Sequence, residues 1–193
     1  MASEEPRTLL LLRHAKSAWP DVADHERPLA PRGQRGARTV GHWLWAARYI
    51  PDLVVCSTAR RASQTWQLAQ SALGSVPPTV FDDRVYAADA GQLLDVIRGT
   101  PAPVRTLLVV GHDPALPGLA RTLLAAAPEA DDGNQAARQA AGRMRAKFPT
   151  AAVAVFEFGA EWDQFAPGVA RLACFVTARE LEGEQDPSQS SRG

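Results

Sequence analysis

Short apolar runs alternate along this chain with segments in which apolar side chains recur every three to four residues. Residues 8–12, 53–56, 106–110, 151–158 and 172–176 are continuous apolar runs, the pattern of strands buried on both faces of a helix-covered sheet. Between them Ala37, Val40, Leu44 and Ala47, then Ala62, Trp66, Ala69 and Leu73, then Leu116, Leu119, Leu123 and Ala127 fall at helical spacing. Pro31 suits the first turn of the first of these helices. Alternation of this kind favours parallel pairing through right-handed crossovers. The expected fold class is therefore α/β: a three-layer α/β/α sandwich around a mostly parallel central sheet.

The 193 residues are of one-domain size and bury enough surface, roughly 70%, to fold without disulfides or a structural metal. A single domain is expected over residues 1–181. Within it, the polar and alanine-rich residues 128–147 read as a surface insertion containing a helix. Residues 182–193 are Gly, Ser, Gln, Pro and charge and read as a disordered tail. Twenty-one basic residues balance 21 acidic ones, so affinity for nucleic acid or for an anionic membrane is not expected. Cys56 and Cys174 lie inside apolar runs and cannot form a disulfide framework. The opening MASEEPRT lacks the basic-then-apolar pattern of a signal peptide, and no apolar run approaches the ~20 residues that span a bilayer. The expected location is the cytoplasm.

In open α/β sheets ligands bind beyond the carboxyl ends of the strands, so the residues after each run carry the chemistry. Arg13-His14-Ala15-Lys16-Ser17 follows the first run, Ser57-Thr58-Ala59-Arg60-Arg61 the second and Gly111-His112-Asp113-Pro114 the third. Two histidines and several arginines thus reach one sheet edge. A guanidinium fork fits phosphoryl oxygens and stays charged at any working pH. Together these residues point to a phosphoryl site.

At these positions the chain resembles the histidine phosphatase (phosphoglycerate mutase-like) superfamily. Leu11-Leu12-Arg13-His14-Ala15 is similar to its RHG or RHA signature, and Leu29-Ala30-Pro31-Arg32-Gly33 to its L-T-x-x-G helix-start motif. Ser57-x-x-x-Arg61-Ala62-x-Gln64-Thr65 resembles its second arginine motif, and Val110-Gly111-His112-Asp113-Pro114 its V-G-H-N-P. The short chain and the RHAKS form look most like the SixA-type phosphohistidine phosphatases. The resemblance implies that His14 attacks phosphorus and that Arg13, Arg61 and His112 cradle the oxygens. It places Asp83, in Phe81-Asp82-Asp83-Arg84-Val85-Tyr86, near the position of a general acid that is a glutamate in mutase-type members. The other reading of Asp82 and Asp83, that they end a short edge strand in solvent, stays open. Lys16, Ser17 and Arg27 are the candidate substrate-binding residues.

The implied activity is metal-independent phosphatase action through a phosphohistidine intermediate, with no cofactor and inorganic phosphate as product. The expected partner is a phosphorylated protein such as a phosphotransfer domain. A small phosphate ester is the alternative substrate, and a non-catalytic phosphoprotein-binding module of the same fold the alternative from another class. A tyrosine-phosphatase reading of Cys56 fails on spacing, since four residues rather than five separate it from Arg61. No metal-ligand spacing, phosphate-binding loop or serine elbow is present.

Overall fold

The computed structural model describes residues 6–126 and 135–184. Its sheet contains β1 (Arg7–Arg13), β2 (Leu53–Cys56), β3 (Thr79–Phe81), β4 (Thr106–Gly111), β5 (Ala152–Phe158) and β6 (Arg171–Thr177). The spatial order is β3-β2-β4-β1-β5-β6. β1 pairs in parallel with β4, β4 with β2, and β2 with β3. β5 runs antiparallel to both β1 and β6, so it alone is reversed and the sheet is mostly parallel, as its crossover pattern predicts.

The helices are α1 (Pro31–Ala46), α2 (Arg60–Gln70), α3 (Ala90–Arg98), α4 (Ala115–Ala126), α5 (Gln135–Ala146) and α6 (Ala178–Glu184). Leu10, Leu12, Val54, Leu108 and Val110 face α1 and α2 in one buried cluster, while Leu9, Leu11, Val55, Leu107 and Val109 face α3, α4 and α5 in another. Alternate residues of the same strands thus feed opposite layers, which is why each strand reads as an unbroken apolar run. Among the described residues no helix is long and apolar enough to cross a membrane.

Four elements refine the sequence reading. β3 is a three-residue edge strand with Val80 and Phe81 exposed. α3 begins at a capping box in which the Asp89 carboxylate accepts from the Gln92 N–H and the Gln92 side chain accepts from the Asp89 N–H. α5 falls inside the stretch read as a surface insertion, yet its Ala140, Ala141 and Met144 are buried in the core; residues 128–134 lie outside the described residues. α6 carries helix through residue 184, past the start of the segment read as a tail, and residues 185–193 lie outside the described residues.

Candidate active site

The carboxyl ends of β1, β2 and β4 meet at one edge of the sheet. His14 follows β1 directly, and its N–H donates to the Gly111 carbonyl at the end of β4. The Ala15 N–H donates to Thr65 Oγ1, and the Leu29 N–H to Gln64 Oε1. Gln64 and Thr65 of the second arginine motif therefore hold the loop after β1 in place. Gly33 is required here because a Cβ on it would lie 2.0 Å from the Lys16 carbonyl oxygen. On the other flank Ala151, at φ 59°, donates its N–H to the Arg13 carbonyl, fixing the start of β5 against the same loop.

His14 and His112 come together with ring centroids 5.0 Å apart. His14 Nδ1 lies 2.8 Å from the Ala15 carbonyl oxygen. A carbonyl can only accept, so Nδ1 carries the proton and Nε2 keeps its lone pair. Burial pushes the His14 pKa down to about 4; the Ala15 carbonyl opposes that shift, while the charges of Arg61, Arg13 and Arg27 add to it. The imidazole is thus neutral at ordinary pH, with Nε2 unprotonated. His112 is pushed down to about 3, mainly by burial and then by His14 and Arg61. Its Nε2 sits 2.7 Å from the Oγ of fully buried Ser57, and its Nδ1 is buried without a partner.

Arg61, buried at the start of α2, donates to the Asp24 backbone carbonyl and to Asp24 Oδ2 at 2.9 Å. Arg27 donates to Asp24 Oδ1 at 2.8 Å and to Ser17 Oγ at 2.7 Å, and stacks 3.2 Å from the centre of the exposed Trp19 ring. Tyr86 donates its hydroxyl to Asp24 Oδ2 at 2.8 Å. Asp24 is therefore the internal anion of the arginine cluster, and hydrogen bonds from Arg27, Tyr86 and Arg61 hold its carboxyl well below the usual range. Arg13 donates to the Phe148 carbonyl at 2.7 Å and pairs with Asp113 at 3.1 Å.

The predicted residues thus separate into groups. His14 and His112 are in ring contact, with Arg13 and Arg61 close enough for their charges to act on both. Ser17 and Arg27, both buried, bond to each other. Asp83 accepts from Thr58 Oγ1 at 2.6 Å, and that hydroxyl also contacts His25 Nε2 at 2.9 Å. Lys16 is exposed and faces a separate cavity. Asp24 and Tyr86 were not singled out from the sequence as arginine partners. Asp24 lies three residues before Arg27, a spacing that hinted at a pair, whereas Tyr86 is 62 residues away and gave no signal. Burial pushes the Cys56 thiol up to about 12, which removes the thiolate a cysteine phosphatase would need.

Comparison with known proteins fits this geometry. The family model described as "Histidine phosphatase superfamily (branch 1)" matches residues 9–96. An uncharacterized protein of Mycobacterium tuberculosis is 43% identical over 169 residues, covering 87% of this chain and 100% of its own. A solved structure named as a candidate phosphohistidine phosphatase SixA from Nakamurella multipartitia superposes with a TM-score of 0.76 at 32% identity, covering 90% of this chain and 97% of its own. The protein histidine phosphatase SixA complexed with tungstate shares the fold, with a TM-score of 0.70 at 20% identity, over 90% of this chain and 99% of its own. The phosphoryl-type edge read from four sequence motifs, the closed imidazole pair and these likenesses converge: the chain belongs to the histidine phosphatase superfamily.

Proposed function

We propose that the protein is a metal-independent phosphatase in which Nε2 of His14 attacks the phosphorus of a bound phosphoryl group. The bond from phosphorus to the leaving group breaks as the N–P bond forms, and the electron pair departs with the leaving group. Water then attacks the phosphohistidine, releasing inorganic phosphate and returning the lone pair to Nε2. Arg13, Arg61 and His112 hold the equatorial oxygens through both steps, where preorganised donors lower the barrier most. The observation that carries this reading is the His14 geometry: the Nδ1 proton is committed to the Ala15 carbonyl while burial and three guanidinium groups keep the ring neutral. The unpartnered His112 Nδ1 and Arg13 Nε support it, since buried polar atoms left open by the protein are characteristic of ligand sites.

The preferred substrate class is phosphohistidine on a protein. Asp24, the carboxylate of the arginine cluster, is held ionised and has no proton to give an alkoxide. An imidazole leaving group needs far less acid assistance. Asp83 is assigned as the acid available for ester substrates. Two assays test the reading. Release of phosphate from an aryl phosphate is expected to vanish in His14→Ala, and equal rates would refute the nucleophile. A phosphohistidine protein compared with small esters at matched concentration is expected to give the higher kcat/KM; preference for one ester overturns the substrate and leaves the nucleophile standing.

A further inference from the structure

A cavity of about 470 Å³ lies against Arg13 and Ala15, on the face of the sheet covered by α1 and α6. Lys16 from the loop after β1, Arg32 from the first turn of α1, Lys147 from the segment before β5 and Arg179 from α6 line it, and it shares Arg13 with the site described above. His14, His112 and Arg61 do not reach it. Its lining contains one acid, Glu182. Among the described residues, the side chains of Lys16, Arg32, Lys147 and Arg179 have no hydrogen-bond or ion-pair partner.

This is a local concentration of charge, because the chain as a whole carries formal net charge +0. Four unpaired cations around one concave surface repel each other, and a concave wall focuses their field on whatever occupies the cavity. The scaffold beneath them is built by close packing. The Ala30 N–H donates to the Lys16 carbonyl at 2.9 Å, and the missing Cβ of Gly33 lets α1 approach that carbonyl. Gly36 likewise brings α1 against Ala178 at the start of α6. The volume is many times that of one water, ~30 Å³, so it admits more than an isolated phosphate. A guest would also touch Arg13 and Ala15, the two residues that flank His14 in the chain.

We infer that this cavity is a specificity subsite for a second anionic group, a carboxylate cluster or a further phosphate, carried by the same molecule whose phosphoryl group His14 attacks. The inference rests on the reading of His14 above and deepens it. It narrows the substrate class to phosphoryl compounds with a neighbouring negative charge; in a phosphoprotein that charge is an acidic segment flanking the phosphohistidine. Arg32, Lys147 and Arg179 select such molecules through binding and take no part in bond making.

The test is the triple variant Arg32→Gln, Lys147→Gln, Arg179→Gln in the full chain, with a melting curve to verify folding. Four probes are compared: an aryl monophosphate, an aryl phosphate bearing a second phosphate, and phosphohistidine peptides flanked by aspartates or by asparagines. KM for the doubly phosphorylated aryl compound, for the aspartate-flanked peptide, or for both is expected to rise about 10-fold, the scale of one or two charge-assisted contacts. The kcat values and the aryl monophosphate KM are expected to stay unchanged, and the salt dependence of KM to flatten. Whichever doubly anionic probe responds identifies the source of the second charge. KM values for both within twofold of wild type overturn the subsite, as does an equal rise for the monophosphate. His14→Ala, run in parallel, reports separately on the nucleophile: if it retains activity the underlying reading fails, and if it is inactive the subsite result stands alone.

Discussion

Acidification should weaken this fold at a pH where most of its carboxylates are still ionised, and His14 supplies much of the effect. The imidazole is only 9% exposed and its pKa falls from 6.5 to about 4, chiefly through burial. At ~1.4 kcal/mol per pKa unit, protonating it in place costs about 3 kcal/mol more than protonating it in the unfolded chain. Above pH 6.5 the ring is neutral in both states and the full stability is present. Between 6.5 and about 4 the unfolded chain takes up a proton that the folded chain refuses, and stability falls by ~1.4 kcal/mol per pH unit. Below that the folded ring also protonates and the contribution is gone. His112 acts with the same sign and reaches lower, to about 3, so the clean observable is a difference between proteins. Denaturant unfolding of wild type and His14→Gln is compared from about pH 7 to about pH 4. Wild type should lose about 3 kcal/mol more than the variant across that range, and log kcat/KM of wild type, once corrected for the ionisation of the substrate phosphate, should hold level until it bends near pH 4. Stability curves running parallel over the whole interval would refute the claim that burial keeps this imidazole neutral.

Other expectations follow from single contacts. Asp24→Asn removes the carboxylate shared by Arg61, Arg27 and Tyr86; because that group is half exposed the fold should lose only about 1 kcal/mol, while inorganic phosphate binds several-fold tighter by calorimetry. Weaker binding would mean that Asp24 positions Arg61 and does not compete with the ligand. Asp83→Asn should lower kcat about 100-fold on an alkyl phosphate and change an aryl phosphate little; equal losses on both would remove Asp83 as an acid. Gly33→Ala and Gly41→Ala place a Cβ 2.0 Å from the Lys16 carbonyl oxygen and 2.1 Å from the Ala69 carbonyl oxygen, and each should cost more than about 2 kcal/mol in thermal or denaturant melts. Gly142→Ala in α5 meets nothing within 4 Å and should stabilise by roughly 0.5–1 kcal/mol.

The parts of this architecture that were legible in the sequence are those governed by burial. Leu9 to Leu12 are each fully buried, alternately facing one helical layer and the other, so they leave an apolar run that no other arrangement explains as simply. His14 and His112 could be placed because each stands at the end of such a run, whereas Arg61, five residues past Cys56, was placed by its spacing to Gln64 and Thr65 in the resembled motif. β3 was legible only as the short edge strand that one reading of Asp82 and Asp83 supposed, because three residues with two exposed side chains carry no periodic signal. α3 had its signal in the capping pair Asp89 and Gln92, which marks a helix start before any apolar stripe does. The buried face of α5 was hidden by small alanines that look polar in context but fit closely against β6. The arginine partners were hidden for a different reason. Tyr86 meets Asp24 only after β3 and the turn that follows bring them together, and nothing local in either segment encodes that distance.

The central claim is that phosphorus passes through the side chain of His14. A quench into alkali, which preserves phosphohistidine, a few turnovers after mixing with an aryl phosphate, followed by peptide mass spectrometry, tests it most directly. The predicted result is one phosphoryl group on the peptide spanning residues 8–27, fragmenting at His14, and none in His14→Ala. Sustained turnover with that peptide unmodified and a phosphoryl group on another side chain would contradict it.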